Sequence, residues 1–195
     1  MSDSTSPRRR PSPMALLSLG LGATIALVMI LTVSFLTNGR SNGSATSTTA
    51  PLATTALVGT TLKGFTSPGL FGGTVASPWS SGHPSVVIFF ASWCGPCQGE
   101  MPKVATYLRT HHLGAVRVLG VDANDEQGSA RTFVTKDKVG FPVAFDANGT
   151  ITNGLFQFLT LPETVFLTAR GKVTSVYFGA IPTDKLAQGI AKLSA

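Results

Sequence analysis

Two cysteines three residues apart, Cys94 and Cys97, stand in the string Trp93-Cys94-Gly95-Pro96-Cys97 and are the only cysteines of the chain. A pair this close removes little chain entropy from the unfolded state, so it is a poor structural staple. Its uses are redox chemistry or metal binding. Zinc needs about four ligands, and the nearest candidates, His111 and His112, fall at the far end of the expected helix, roughly 20 Å along it at helical rise. These two and His83 read as surface residues, so thiol chemistry is the stronger reading. A helix start offers unpaired N–H groups and the positive end of the helix dipole, which stabilise a thiolate and lower its pKa. Pro96 suits a first helical turn, where its missing N–H has no partner to lose. Cys97 lies less than one turn further on, within reach of a disulfide with Cys94. Trp93 supplies an apolar, semi-rigid cover.

These residues need a strand behind them and a helix in front. Ser85 to Phe90 is a continuous apolar run, as expected of a strand covered on both faces. The spacing then predicts a helix over Cys94–Arg109, a buried strand over Val116–Val121, a helix over Asp125–Lys138 and a short strand over Pro142–Phe145. Glu163–Thr168 and Lys172–Phe178 read as a hairpin joined at Ala169-Arg170-Gly171. Thr183 or Asp184 caps a last amphipathic helix through Leu193. This order predicts an α/β fold: a central mixed sheet with helices on both faces. Residues 56–84 are rich in Gly, Ser and Pro, with Phe65 and Val75 as candidates for an added N-terminal hairpin.

The chain is 43% hydrophobic and only 12% charged, which calls for a local apolar segment. Met14–Leu36 is that segment: 23 residues without a charge, long enough as a helix to span the roughly 30 Å hydrocarbon core. It is expected to be an uncleaved transmembrane anchor preceded by a basic tail, residues 1–13. A cleaved signal peptide is the rival, opposed by the length of the apolar run and by the lack of a small-x-small site where it stops. Arg8, Arg9 and Arg10 precede the span and only Arg40 follows closely, which places the N-terminus in the cytoplasm and the remainder outside. Residues 37–55 read as a flexible Ser/Thr/Gly linker, and 56–195 as the globular domain. That domain carries eleven Lys/Arg against eight Asp/Glu and no basic cluster with interleaved aromatics, so nucleic-acid binding is not expected.

Trp93-Cys94-Gly95-Pro96-Cys97 after Val86-Val87-Ile88-Phe89-Phe90 resembles the thioredoxin superfamily. Gln98-Gly99-Glu100-Met101-Pro102, Leu161-Pro162-Glu163-Thr164-Val165-Phe166-Leu167 and Arg170-Gly171-Lys172-Val173 are similar to the membrane-tethered TlpA/ResA-type proteins, which include thioredoxins of cytochrome c maturation. The likeness covers about residues 56–195 and implies a thioredoxin-like fold. It implies that Pro162 is the cis-proline beside the active site, with Leu161 offering backbone groups to a substrate strand. It implies that Pro102 is the proline that kinks the active-site helix, a structural role, and that Glu100, three residues after Cys97 on the same helix side, handles protons at the buried cysteine. One departure stands out. Thioredoxins carry a buried aspartate six residues before the first cysteine, where this chain has Ile88. Acid–base help would then come from Glu100, Glu163 or water, and Glu163 is equally a candidate for partner binding.

The expected function is extracytoplasmic thiol–disulfide exchange. Cys94 is the exposed attacking thiolate, Cys97 the resolving thiol, and Trp93, Gly95, Pro96, Leu161, Pro162 and Glu163 form the substrate rim. No metal or organic cofactor is implied. Expected partners are protein thiols or disulfides, with apocytochrome c as an example, and a membrane electron carrier. Gly95-Pro96 gives Cys94 no side-chain hydrogen bond, which favours a reductant over an oxidant that forms disulfides in secreted proteins. A peroxidase, as in the related peroxiredoxins, is disfavoured by the paired cysteines. A redox-silent chaperone or adaptor would tolerate serine at both cysteines. Covalent haem binding is disfavoured because Gln98, not histidine, follows Cys97.

Overall fold

The computed structural model describes residues 57–157 and 160–194. The expected basic tail, anchor and most of the linker lie outside the described residues. Among the described residues, no helix is long and apolar enough to cross a membrane.

The first elements of the described residues form a short antiparallel hairpin, β1 (Thr66–Pro68) and β2 (Thr74–Ala76). Val75 lies in β2 and Phe65 immediately precedes β1, close to their expected places. A 3-10 turn follows at Pro78–Ser81, and then β3 (Ser85–Phe90), with the expected bounds. All five apolar side chains of β3 are fully buried, each contributing about 1.5–3 kcal/mol. The remaining elements are α1 (Gly95–Thr110), β4 (Arg117–Ala123), α2 (Gln127–Lys136), β5 (Val143–Asp146), β6 (Glu163–Leu167), β7 (Val173–Phe178) and α3 (Thr183–Ser194). β4 runs two residues beyond its expected end, so it takes in Asp122. α2 is shorter than expected because Glu126 caps it, its carboxylate accepting the Gly128 and Ser129 N–H groups at 3.0 and 2.8 Å.

The five-stranded sheet has the order β5-β4-β3-β6-β7. β3, β4 and β5 are parallel, whereas β6 and β7 are antiparallel to their neighbours. The alternation of β3 separates two cores. Val86, Ile88 and Phe90 join buried residues of α1, α2 and α3, and both cysteines. Val87 and Phe89 join Trp79, Ile151 and Phe156. The expectation of helices on both faces is therefore corrected: all three described α-helices pack on one face. The crossovers β3-α1-β4 and β4-α2-β5 step the same way across the sheet. With the usual right-handedness, both helices land on the same side. The other face is closed by the 3-10 turn, residues 57–65 and the turns around 147–156. The hairpin extends the sheet at β5 through a Gly69–Ala144 bridge.

Candidate functional site

The site forms where β3 ends and α1 begins, at the C-terminal edge of the parallel strands. Cys94 is the N-cap of α1, with extended backbone (φ −82°, ψ 107°). Its Sγ accepts the Cys97 N–H at 3.2 Å, so one of the unpaired donors of the helix start is aimed at sulfur. Gly95 and Pro96 fill the first turn and are exposed. Cys94 and Cys97 form a disulfide, S–S 2.04 Å.

The accessible surface differs from expectation. Cys94 is only 3% exposed and Cys97 1%, so the expected exposed Cys94 is corrected for this disulfide state: both sulfurs sit in the core beneath α1. The exposed member is Trp93, at 61%. Its indole N–H donates to the Asn124 carbonyl at 3.1 Å, which holds the ring over the end of β4.

The peptide bond Leu161–Pro162 is cis. Pro162 is buried, and its carbonyl accepts the Gly179 N–H at 2.9 Å. Leu161 packs against both cores, including the one that holds the cysteines. The next residue, Glu163, is the register partner of Phe89 and 1% exposed. Directly opposed residues of an antiparallel pair share a face, so Glu163 lies on the face away from α1 and its cysteines.

Glu100 is brought to the site. It is 4% exposed, on the buried side of α1 with Cys97. Its Oε1 accepts the Ile181 N–H at 3.0 Å, tying α1 to the segment before α3. Burial pushes its pKa up to about 7, outweighing the Ile181 hydrogen bond, which acts to lower it. The carboxyl borders a groove that also touches Pro96, Gly99, Lys103 and Pro182. A carboxyl with its pKa raised to about 7 thus lies on the same buried helix side as Cys97. α1 continues through Pro102.

Sequence reasoning missed the support behind the loop Ser92–Trp93. The Asp125 carboxylate accepts the Ser92 N–H, and the Ser92 hydroxyl at 2.9 Å. Gln98 donates its amide N–H to the Ser92 carbonyl at 2.8 Å. With the Trp93–Asn124 bond, the loop that delivers Cys94 is fixed to α1 and to the turn after β4. The available signal was Asp122, a charged residue continuing an apolar strand at the end where parallel sheets carry their sites.

The AhpC/TSA family model matches residues 58–176, well over half of the chain. The chain belongs to the AhpC/TSA family. It is 24% identical over 110 residues to sporulation thiol-disulfide oxidoreductase A of Bacillus subtilis (strain 168), covering 55% of this chain and 66% of that protein. It is 28% identical over 98 residues to the thiol-disulfide oxidoreductase ResA of Oceanobacillus iheyensis, covering 50% of each. The chain thus spans about half to two thirds of the length of these curated relatives. A secreted disulfide oxidoreductase of Mycobacterium tuberculosis, homologous to E. coli DsbE, superposes with a TM-score of 0.58 at 28% identity, over 66% of this chain and 96% of that one. These relatives are thiol-disulfide oxidoreductases, and the described domain carries Cys94–Cys97 as its disulfide.

Proposed function

We propose that the whole chain is a membrane-tethered, extracytoplasmic thiol–disulfide oxidoreductase that reduces disulfides in target proteins. The observation that carries the reading is the Cys94–Cys97 disulfide at the start of α1, with a helix N–H aimed at the Cys94 sulfur. In the reduced protein, the Cys94 thiolate attacks a target disulfide. A mixed disulfide forms and one target sulfur leaves as thiolate. Cys97 loses its proton and attacks Cys94, which releases the second target sulfur. The target gains two electrons and two protons, and the protein returns to the disulfide described above. Glu100 is the proposed proton acceptor for Cys97, because its pKa of about 7 lets it hold or release a proton near neutral pH. Trp93, Gly95 and Pro96 form the exposed rim against which a target docks, with Leu161 and the backbone at Pro162 behind them.

The extracytoplasmic placement is supported by Arg8–Arg10 ahead of the uncharged Met14–Leu36, and by the secreted M. tuberculosis relative. The reducing direction is supported by Gly95-Pro96, which places no side-chain donor beside Cys94, and by an acidic Glu100 that disfavours extra negative charge on the sulfurs. An extracytoplasmic reductant needs a membrane electron carrier to regenerate it. Targets of the apocytochrome c type are the example that the TlpA/ResA-type resemblance implies. Equilibration with glutathione tests the direction. A potential in the range of thioredoxin, about −270 mV, supports the reductant, and one near −120 mV with catalysed oxidation of a reduced substrate overturns it.

A further inference from the structure

Asp122 is the least expected side chain of the molecule. It is fully buried near the end of β4, level with Phe90 of β3 and Phe145 of β5. Neither of its oxygens receives a hydrogen bond from a protein N–H or O–H group. An isolated carboxylate in that position is expensive. Its charged neighbours make the anion still less favourable, because they are also acids. Asp125 acts on it from the turn after β4, and Asp146 from β5. Among the described residues only acids act on its charge: the buried side of α2 is Ala130, Phe133 and Val134, and Arg131 of that helix donates to the Leu70 carbonyl instead. The buried acid of α1, Glu100, is turned to Ile181 near α3. Asp125, in contrast, is placed as a hydrogen-bond acceptor. It accepts the Ser92 N–H, the Ser92 hydroxyl and the Glu126 N–H, so both of its oxygens are already engaged with donors.

We propose that Asp122 and Asp125 form an acid–carboxylate pair that holds one proton between them, and that this pair is the positioning device for the loop delivering Cys94. The inference deepens the function proposed above and rests on that reading of the cysteines. Asp122 is a positioning residue: it acts on the sulfurs only through Asp125, Ser92 and Trp93. While Asp122 keeps its proton, Asp125 is the only charge of the pair and its bonds to Ser92 are undisturbed. Burial, reinforced by Asp125, raises the Asp122 pKa to about 8. Above that pH the proton is lost and two carboxylates face each other. Asp125 is the half-buried member of the pair and Asp122 the fully buried one, so the repulsion is relieved at Asp125: its grip on Ser92 loosens and the Trp93–Asn124 bond loosens with it. The chain thus carries a buried acid beside its active-site loop although the position usual for one, residue 88, is isoleucine.

The test is made on the oxidised full chain in detergent, where neither cysteine titrates. The Trp93 indole N–H resonance is followed from pH 6 to pH 10; Trp79 is the only other tryptophan and serves as the internal reference. The expected result is a Trp93 shift with a midpoint near 8, absent in Asp122→Asn, whose resonance stays at the low-pH position throughout. Glu100→Gln is expected to leave the midpoint in place, which separates this titration from that of Glu100. In the reduced proteins, Asp122→Asn is expected to exchange with a model disulfide at the wild-type rate at pH 6, and to surpass the wild type at least threefold at pH 9.5 when compared at equal thiolate. A Trp93 midpoint unchanged in Asp122→Asn, or no Trp93 titration in the wild type, overturns the proposal. Loss of Asp122→Asn folding is checked with Asp125→Asn, which keeps the shape but weakens the acceptor and is expected to displace the Trp93 resonance at every pH; an unmoved resonance there also overturns it. The titration needs no turnover, so its failure is distinct from a failure of the exchange reading.

Discussion

Replacing Glu100 by glutamine tests the energetic cost of a buried acid beside a redox pair. In the unfolded chain the carboxyl ionises around 4.5, and in the fold at about 7. Between those values the folded protein binds a proton that the unfolded chain has released. Stability therefore falls as pH rises from 4.5 through 7, and the loss is complete above pH 7. Each pKa unit is worth about 1.4 kcal/mol, so the shift corresponds to about 3 kcal/mol at pH 8. The glutamine introduced by Glu100→Gln would keep the Ile181 bond through its carbonyl oxygen and has no proton to lose. The stability of Glu100→Gln relative to wild type should rise by about 3 kcal/mol between pH 4.5 and pH 8. With a urea slope of about 2 kcal/mol per M, the relative midpoint moves by about 1.5 M. Urea unfolding of the oxidised protein, followed by tryptophan fluorescence, measures it. Comparing the variants as a difference cancels the separate contribution of Asp122, whose raised pKa has the same sign. A difference that stays flat from pH 4.5 to pH 8 refutes the argument.

Three further outcomes are expected. Trp93→Ala, at an exposed position, should change stability by less than about 1 kcal/mol but slow exchange with protein targets more than with a small disulfide; equal effects on both would remove Trp93 from the docking rim. Gly171→Ala should destabilise by about 1–3 kcal/mol, because Gly171 has φ +77° and an added Cβ would stand 2.6 Å from the Leu62 carbonyl oxygen and 2.7 Å from the Trp79 ring; thermal unfolding reads this, with exchange at Cys94 unchanged below the transition. Gln98→Ala should lower the exchange rate of Cys94 severalfold, since it frees the Ser92 carbonyl, and an unchanged rate with a model disulfide contradicts the role of the clamp.

The sequence made β3, α1 and the Cys94–Cys97 centre readable because each signal there is local: an unbroken apolar run, a proline in the first helical turn, and two cysteines three apart. The hairpin β6–β7 was readable for the same reason, through Gly171 at its turn. What was hidden depends on tertiary placement. Strand alternation cannot tell which side a helix will take, so the single helical layer emerged only from the direction of two successive crossovers. Glu163 was a fair candidate by its place after Pro162, but its facing is set by pairing with Phe89. The low exposure of Cys94 follows from how α1 seats on the sheet. Asp122 was overlooked because β4 continues past Val121, and a lone aspartate at the edge of an apolar run reads as the start of a loop.

The most direct measurement of the central claim is trapping through single cysteines. The full chain carrying Cys97→Ser is incubated with a disulfide-containing protein and analysed without reductant. The account predicts a covalent adduct through Cys94 that dithiothreitol releases, no adduct with Cys94→Ser, and no catalysed exchange by either variant. Adducts from Cys94→Ser but not from Cys97→Ser would reverse the two roles, and undiminished function of the double serine variant would contradict thiol–disulfide exchange altogether.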